Sequence, residues 1–277
     1  MKITKLTLAI AALMMAAVSC GQKKEESKKA LVLYYSQTTN TKKVAQEISN
    51  RLGADMEEIV AVKPYEGDFQ ATINRSMKER QEGVTPDIKP LKADLSKYDV
   101  IFLGYPIWFG TYAPPVATLL SQVDLSGKKV VPFCTFGSGG LEASIKDLAE
   151  KQPKAEVLAG YGVRAARIDA MPKEVEQFLI AGGFIKGEYS TLPDFSEQQP
   201  VSADQSAIFD AAVGDYPMIH AKAKTVGSRS ISGGTEYLFC AEDLPRENTP
   251  QAAPAGQMQV YVTVLNGSAP VFTRVNR

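Results

Sequence analysis

Apolar residues fall in a repeating two-part pattern over the first two-thirds of the chain. Residues 30–35 are a continuous apolar run, as expected of a strand covered on both faces. Val44, Ala45, Ile48 and Leu52 follow at helical spacing, and Gly53 closes that helix. Residues 59–62 read as a second short strand, and Phe69, Ile73 and Met77 give one apolar face of a second helix ending near Gly83. Runs at 100–104, 130–134 and 157–163 predict three more strands. Helices are marked by Val116, Leu119, Leu120 and Val123, by Ile145 and Leu148, and by Val175, Phe178 and Leu179 before Gly182-Gly183. Strands alternating with helices predict an α/β fold, a five-stranded parallel, doubly wound sheet over residues 30–187. Such sheets bind ligands beyond the carboxyl ends of their strands, at the topological switch point.

The pattern then changes. Residues 188–200 are polar and read as a linker. Residues 202–213 fit a short helix with Ala203, Ile208, Phe209 and Ala212 turned inward. Alternating stretches at 218–226, 235–242, 258–265 and 271–275 follow, with a proline-bearing loop tip at 248–256. One helix before an antiparallel meander predicts a smaller C-terminal α+β domain, a helix on an antiparallel sheet, over residues 201–277.

The amino-terminal end has a different character. Lys2 and Lys5 precede a mostly apolar run from 6 to 18, too short to span a bilayer as a stable helix. Ala17-Val18-Ser19-Cys20-Gly21 resembles the lipobox of bacterial lipoproteins, which implies lipidation at Cys20 and removal of residues 1–20. An ordinary secretion signal or an uncleaved anchor is the other reading. Residues 21–29 are charged, with almost nothing to bury, and read as a solvated tether.

Charge and cysteine usage narrow the classes of function. Loss of Lys2 and Lys5 leaves 29 of the 31 basic residues against 31 acidic ones, a formal charge of −2. No basic excess exists to offset phosphates, so nucleic acid is not an expected partner. Cys134 and Cys240 lie in different segments and do not form a disulfide framework. No His/Cys cluster has metal-ligand spacing, and the single His220 sits in a strand-like stretch as a structural residue.

Three turns at strand carboxyl ends carry the candidate chemistry. The first, Ser36-Gln37-Thr38-Thr39-Asn40-Thr41, opens a helix with neutral hydroxyl and amide donors. A helix N-terminus supplies unpaired N–H groups and partial positive charge, which suits a phosphate. Neither the Gly-Lys-Ser/Thr of a Walker loop nor G-x-G-x-x-G is present. The second turn, residues 105–115, holds the only Trp, Trp108, beside Phe109, Tyr105 and Tyr112 in a segment expected to face solvent. The third is Thr135-Phe136-Gly137-Ser138-Gly139-Gly140. Each also has a plainer reading: a capped helix with Thr39 or Asn40 as N-cap, local aromatic packing, and a flexible turn. A hydroxyl-lined phosphate turn together with an exposed aromatic turn points to flavin mononucleotide (FMN), with its ring on Trp108.

The segments YYSQTTNTKKVA, YDVIFLGYPIWFGTYAPPV and VVPFCTFGSGG resemble, in order, the three FMN-binding loops of the flavodoxin family. The resemblance implies phosphate contacts from Ser36, Thr38, Asn40 and Thr41. It implies ring-flanking roles for Pro106, Ile107, Trp108, Phe109 and Gly110, and a ring edge lined by Thr135, Phe136, Gly137, Ser138 and Gly139. Thr39 stands where the family has glycine, and little acidic charge surrounds the loops, so a very low potential is not implied. In the C-terminal half, the stretch from Ser230 to Tyr237 resembles a cystatin hairpin, Q-V-V-A-G-T-N-Y. Ser230 and Ser232 replace its Gln and Val, so the half reads as a binding or scaffolding module and not a protease inhibitor.

These readings predict a membrane-tethered, periplasmic or cell-surface FMN protein that passes electrons to a redox partner protein or a small-molecule acceptor. Two alternatives stay open: an FMN-dependent NAD(P)H:quinone or nitro reductase, and a cofactor-free interaction lipoprotein that keeps the fold.

Overall fold

In a computed structural model of the chain, the described residues are 29–214, 216, 217, 219–244 and 256–277. The leader with Cys20, most of the tether, Met218 and nearly all of the 248–256 loop tip lie outside them. In chain order the first unit comprises β1 (Ala30–Tyr34), α1 (Asn40–Leu52), β2 (Asp55–Glu58), α2 (Phe69–Glu82), β3 (Val100–Trp108), β4 (Thr111–Tyr112) and α3 (Pro114–Gln122). It continues with β5 (Lys129–Phe136), α4 (Leu141–Lys151), β6 (Glu156–Val157), β7 (Tyr161–Arg164) and α5 (Met171–Ala181).

The sheet runs β2-β1-β3-β5, with β6 and β7 sharing the position beyond β5, and all these pairs are parallel. Its order reverses direction beside β1, so β1, β3 and β5 are neighbours whose carboxyl ends share one edge. Each face is closed by helices. Val44, Ile48, Val175 and Leu179 of α1 and α5 bury against Val32, Phe102 and Val131 on one side. Val116 and Leu119 of α3 and Leu148 of α4 bury against Leu33, Ile101 and Leu103 on the other. Fully burying such side chains contributes about 1.5–3 kcal/mol each, which fixes the strand register and with it the position of the loops.

Several boundaries differ from expectation. The second strand is the charged segment Asp55–Glu58, which tolerates charge because it lies at the sheet edge. The apolar run 59–62 instead meets the segment 87–89 in antiparallel fashion, through Val62 N–H to Asp87 O and Lys89 N–H to Val60 O. The fifth strand is split: Val130 and Phe133 pair with Val157 and Tyr161, so one extra residue is accommodated on the outer strand. Gly160 lies at the break, where a β-carbon would come 2.8 Å from the Pro132 carbonyl oxygen.

The face assigned to α2 is corrected. Thr72 and Ser76 are buried, whereas Phe69 is 79% exposed and Met77 44%. The polar stripe wins because it is anchored. Arg75 lies over the Tyr65 ring at 3.9 Å, donates to the Lys63 and Pro64 carbonyls, and pairs with Glu79, which accepts from the Tyr65 hydroxyl.

The C-terminal unit contains β8 (Gln199–Pro200), α6 (Ala203–Val213), β9 (Ala221–Ile231), β10 (Gly234–Asp243), β11 (Gln257–Leu265) and β12 (Val271–Asn276). Its antiparallel sheet runs β12-β11-β10-β9-β8. Ser202 caps α6 in a capping box with Gln205. Phe209 is fully buried against Phe239, while Ala203 is exposed rather than turned inward. The hairpin between β9 and β10 closes through Ser232-Gly233, with Gly233 at φ 77°. The end of the expected linker belongs to this sheet: Ser196 N–H bonds Ser228 O, and Gln199–Pro200 pair with β9. His220 precedes β9, exposed, with Nδ1 3.2 Å from Leu244 O. Among the described residues, no helix is long and apolar enough to cross a membrane, and no group of three His, Cys, Asp or Glu could hold a metal.

Candidate functional site

The turn after β1 keeps part of its donor set available. Asn40 begins α1, so the N–H groups of its first turn have no intrahelical acceptor. Lys42 N–H donates to Ser36 Oγ at 3.2 Å, and Lys43 N–H to Thr39 O at 2.9 Å. Thr39 is the N-cap residue but makes no side-chain cap bond, and its φ is 66°. This left-handed conformation is the one glycine adopts freely, and in a β-branched residue it costs about 1–2 kcal/mol. The turn therefore retains the backbone shape of a glycine-bearing loop despite the threonine. No acidic residue lies in the first helical turn, while Lys42 and Lys43 are exposed there. Two cations at the positive end of a helix disfavour each other and the dipole, and an anion relieves both.

Gln37 locks this turn from below. The Tyr35 hydroxyl donates to Gln37 Oε1 at 2.8 Å, and Gln37 Nε2 donates to Tyr65 O at 2.7 Å. Thr38 and Thr39 are left exposed, and Ser36 and Asn40 half-buried. Thr41 points inward, with its hydroxyl 2.9 Å from that of Thr135. Both threonines are buried, so this pair ties the first turn to the third.

The second turn is exposed at its tip, while its two tyrosines are buried. β3 extends through Trp108 and reverses into β4, pairing Ile107 with Tyr112 and Trp108 with Thr111. Phe109 and Gly110 form the two-residue turn, with φ 52° and 86°. Positive φ at both central positions matches the twist of the hairpin, but it is strained for Phe109. Tyr105 is fully buried with its hydroxyl 3.1 Å from Ser144 Oγ, and Tyr112 is buried beside it. Trp108 is half-buried, meeting Tyr35 at 6.0 Å and Tyr65 at 5.0 Å edge-on. Neither tyrosine ring is stacked parallel on the indole. Phe109, 45% exposed, is approached by Arg80 of α2, whose guanidinium lies 5.9 Å from the ring and donates to the Phe109 carbonyl. Thr111 Oγ1 is buried without a hydrogen-bond partner among the described residues.

In the third turn, Phe136 ends β5 and is packed into the core beneath Gly162, so its ring is not presented at the sheet edge. Gly137 is exposed, and Ser138, Gly139 and Gly140 are half-buried. A β-carbon on Gly140, at φ 110°, would lie 2.7 Å from Ile107 Cγ2 and 3.2 Å from Gly110 O. The second and third turns are thus in contact. Tyr35 N–H bonds Gly104 O at 2.9 Å, which joins the chain entering the first turn to β3 just before Tyr105. The three turns converge at one edge.

The electrostatics of this edge favour binding over proton transfer. Burial raises the phenols of Tyr35 and Tyr65 well above their ordinary value, and that of Tyr112 to about 12. Burial likewise pushes the Cys134 thiol up, so it is not a ready thiolate.

Gln37, Lys42, Lys43, Arg80 and Thr111 were not singled out from the sequence. Lys42 and Lys43 were legible as charges beside a helix start. The others depend on tertiary packing around Tyr65 and β4.

Residues 29–176 match the flavodoxin family. No curated protein matches the chain. Among solved structures, one described as a flavoprotein from Bacteroides eggerthii is 30% identical, covering 54% of this chain and 96% of its own, with a TM-score of 0.47. A second from Bacteroides uniformis is 26% identical, covering 55% and 99%, with a TM-score of 0.49. A flavoprotein from Lactobacillus acidophilus in complex with FMN is 27% identical, covering 52% and 98%, with a TM-score of 0.45. With the family match extending over more than half of its length, this chain belongs to the flavodoxin family.

Proposed function

We propose that the chain binds FMN at the convergent edge and serves as an electron carrier tethered to a membrane through Cys20. The observation that carries this reading is the α1 terminus: an open hydroxyl-lined turn, no acid, two lysines, and Thr39 held at φ 66°. That donor set fits a phosphate monoester. Ser36, Thr38, Asn40 and the N–H groups of α1 would hold the phosphate, with Thr41 fixing the turn through Thr135. Trp108 would face the ring, Gly110 and Thr111 would meet its edge, and Gly137, Ser138 and Gly139 would line the opposite side. When bound, FMN supplies the redox chemistry, and the chain supplies orientation and hydrogen bonds. The acceptor is a partner protein or a small molecule.

An absorption spectrum of the full chain isolated from its native membrane tests the reading. Flavin bands at about one FMN per chain are expected, whereas a colourless protein that takes up no FMN on titration contradicts it. For the tether, Cys20→Ala is expected to yield released protein or unprocessed precursor. Stable anchoring needs more than one acyl chain, so a processed variant that stays fully membrane-bound would remove the lipoprotein assignment.

A further inference from the structure

The third turn is gripped by the C-terminal unit as well as by the flavodoxin sheet. Arg164 ends β7, opposite Phe136 of β5. Its Nε donates to Gly137 O at 2.8 Å and its Nη1 to Phe272 O of β12 at 2.7 Å. The guanidinium also lies over Phe272 at 4.3 Å and near Tyr216 at 5.1 Å. One residue further along the turn, Val275 N–H of β12 donates to Ser138 O at 2.8 Å. At the next residue, a β-carbon on Gly139 would come within 2.1 Å of the Val275 carbonyl oxygen, so the two backbones are in direct contact. A β-carbon on Gly137 would meet the Tyr216 hydroxyl at 2.9 Å.

Three consecutive residues, Gly137, Ser138 and Gly139, are therefore held by β12 and Arg164. Thr135, two residues before them, and Gly140, directly after them, are held by the first and second turns. The turn is a shared wall, with the cofactor edge on one side and the C-terminal sheet on the other. Its backbone has few ways to move without disturbing both.

We propose that Arg164 is a positioning residue for the flavin site, and that docking of the C-terminal sheet through Arg164 and Val275 sets FMN affinity by fixing the third turn. The inference rests on the FMN reading above. A flexible glycine-rich turn must be ordered when a ligand binds, and that cost falls if β12 has already ordered it. Coupling is reciprocal, so FMN must tighten the contact between β12 and the turn by the same factor that docking tightens FMN.

The test uses the full chain, with FMN titrated into wild type, Arg164→Met and Arg164→Lys, and amide exchange followed at Val275 with and without FMN. Arg164→Met is expected to weaken FMN about 10-fold, with Trp108 quenching at saturation unchanged because the ring keeps its seat. Arg164→Lys, which retains a donor and the charge, should recover part of the loss. In wild type, saturating FMN should slow Val275 exchange by about the same 10-fold factor. Wild-type affinity in Arg164→Met, or a Val275 amide indifferent to FMN, overturns the inference while leaving the FMN reading intact. A wild type that binds no FMN overturns that reading and this inference with it. If Arg164→Met does not fold, the wild-type exchange measurement decides alone.

Discussion

The turn after β1 and the turn after β5 leave the two strands that flank β3 at the same edge, yet they are held in different ways. The first is fixed entirely within the flavodoxin sheet's own unit: Ser36 accepts from Lys42, Gln37 bonds Tyr35 and Tyr65, and Thr41 meets Thr135. Thr38 and Thr39 remain open. The third turn has little hold of its own. Its carbonyls at 137 and 138 are taken by Arg164, which also bonds β12, and by Val275 of β12 in the C-terminal unit. A turn that must offer several donors to an anion needs a rigid local frame. A glycine-rich turn that must come close to a flat ligand gives up such a frame, and here a second sheet replaces it.

The widest test of that contrast is Gly139→Ala. Its β-carbon would overlap the Val275 carbonyl, so β12 must shift, and a loss of about 3 kcal/mol in stability is expected. Denaturant unfolding followed at both units would show it, and an unchanged midpoint would mean the seam is loose. Trp108→Ala comes next. It should weaken FMN by about 2 kcal/mol, the scale of aromatic stacking on a flat heterocycle, as read by titration. Undiminished affinity would place the ring elsewhere.

Thr38→Ala should have a smaller and purely local effect. Thr38 is exposed, so folding should be unchanged. The preference for FMN over riboflavin should narrow by about 1.5 kcal/mol, the contribution of one charge-assisted hydrogen bond. A fall in melting temperature would contradict the view that this turn carries ligand contacts rather than structure.

The weakest effect under ordinary conditions is one of pH. Tyr34 and Tyr112 titrate near 10 when unfolded and are raised to about 12 in the fold, chiefly by burial. Groups raised on folding contribute stability that is complete below their unfolded value and lost as pH climbs through the folded one. Stability should therefore be insensitive to these groups below pH 10 and decline from about pH 10 to 12. A steep loss between pH 7 and 9 in a denaturant series would point to other groups.

The contrast also explains what was legible in the sequence. The apolar runs at β1, β3 and β5 and the helical spacing of α1 and α5 follow directly from burial on both faces of a parallel sheet. The first turn was readable because its chemistry is local: hydroxyls, a helix start and no acid within a few residues. The α2 face was not, because Arg75 and Glu79 gain partners at Tyr65 that outweigh the Phe69–Ile73–Met77 stripe. Tyr105 and Tyr112 looked solvent-facing because a strand extending to Trp108 and folding back on itself has no marker beyond Phe109-Gly110. Phe136 belongs to the core for a similar reason, since β5 runs two residues past the predicted end at 134. The role of Arg164 was invisible, as nothing local distinguishes an arginine whose two acceptors lie 27 residues back and 108 residues ahead.

Calorimetric titration of FMN and riboflavin into the wild-type full chain tests the central claim most directly. If the α1 turn is a phosphate seat, FMN binds with one-to-one stoichiometry and riboflavin binds more weakly by several charge-assisted hydrogen bonds, about 3 kcal/mol or more. Equal affinity for the two ligands would show that Ser36, Thr38 and Asn40 merely begin a helix, and would contradict the account.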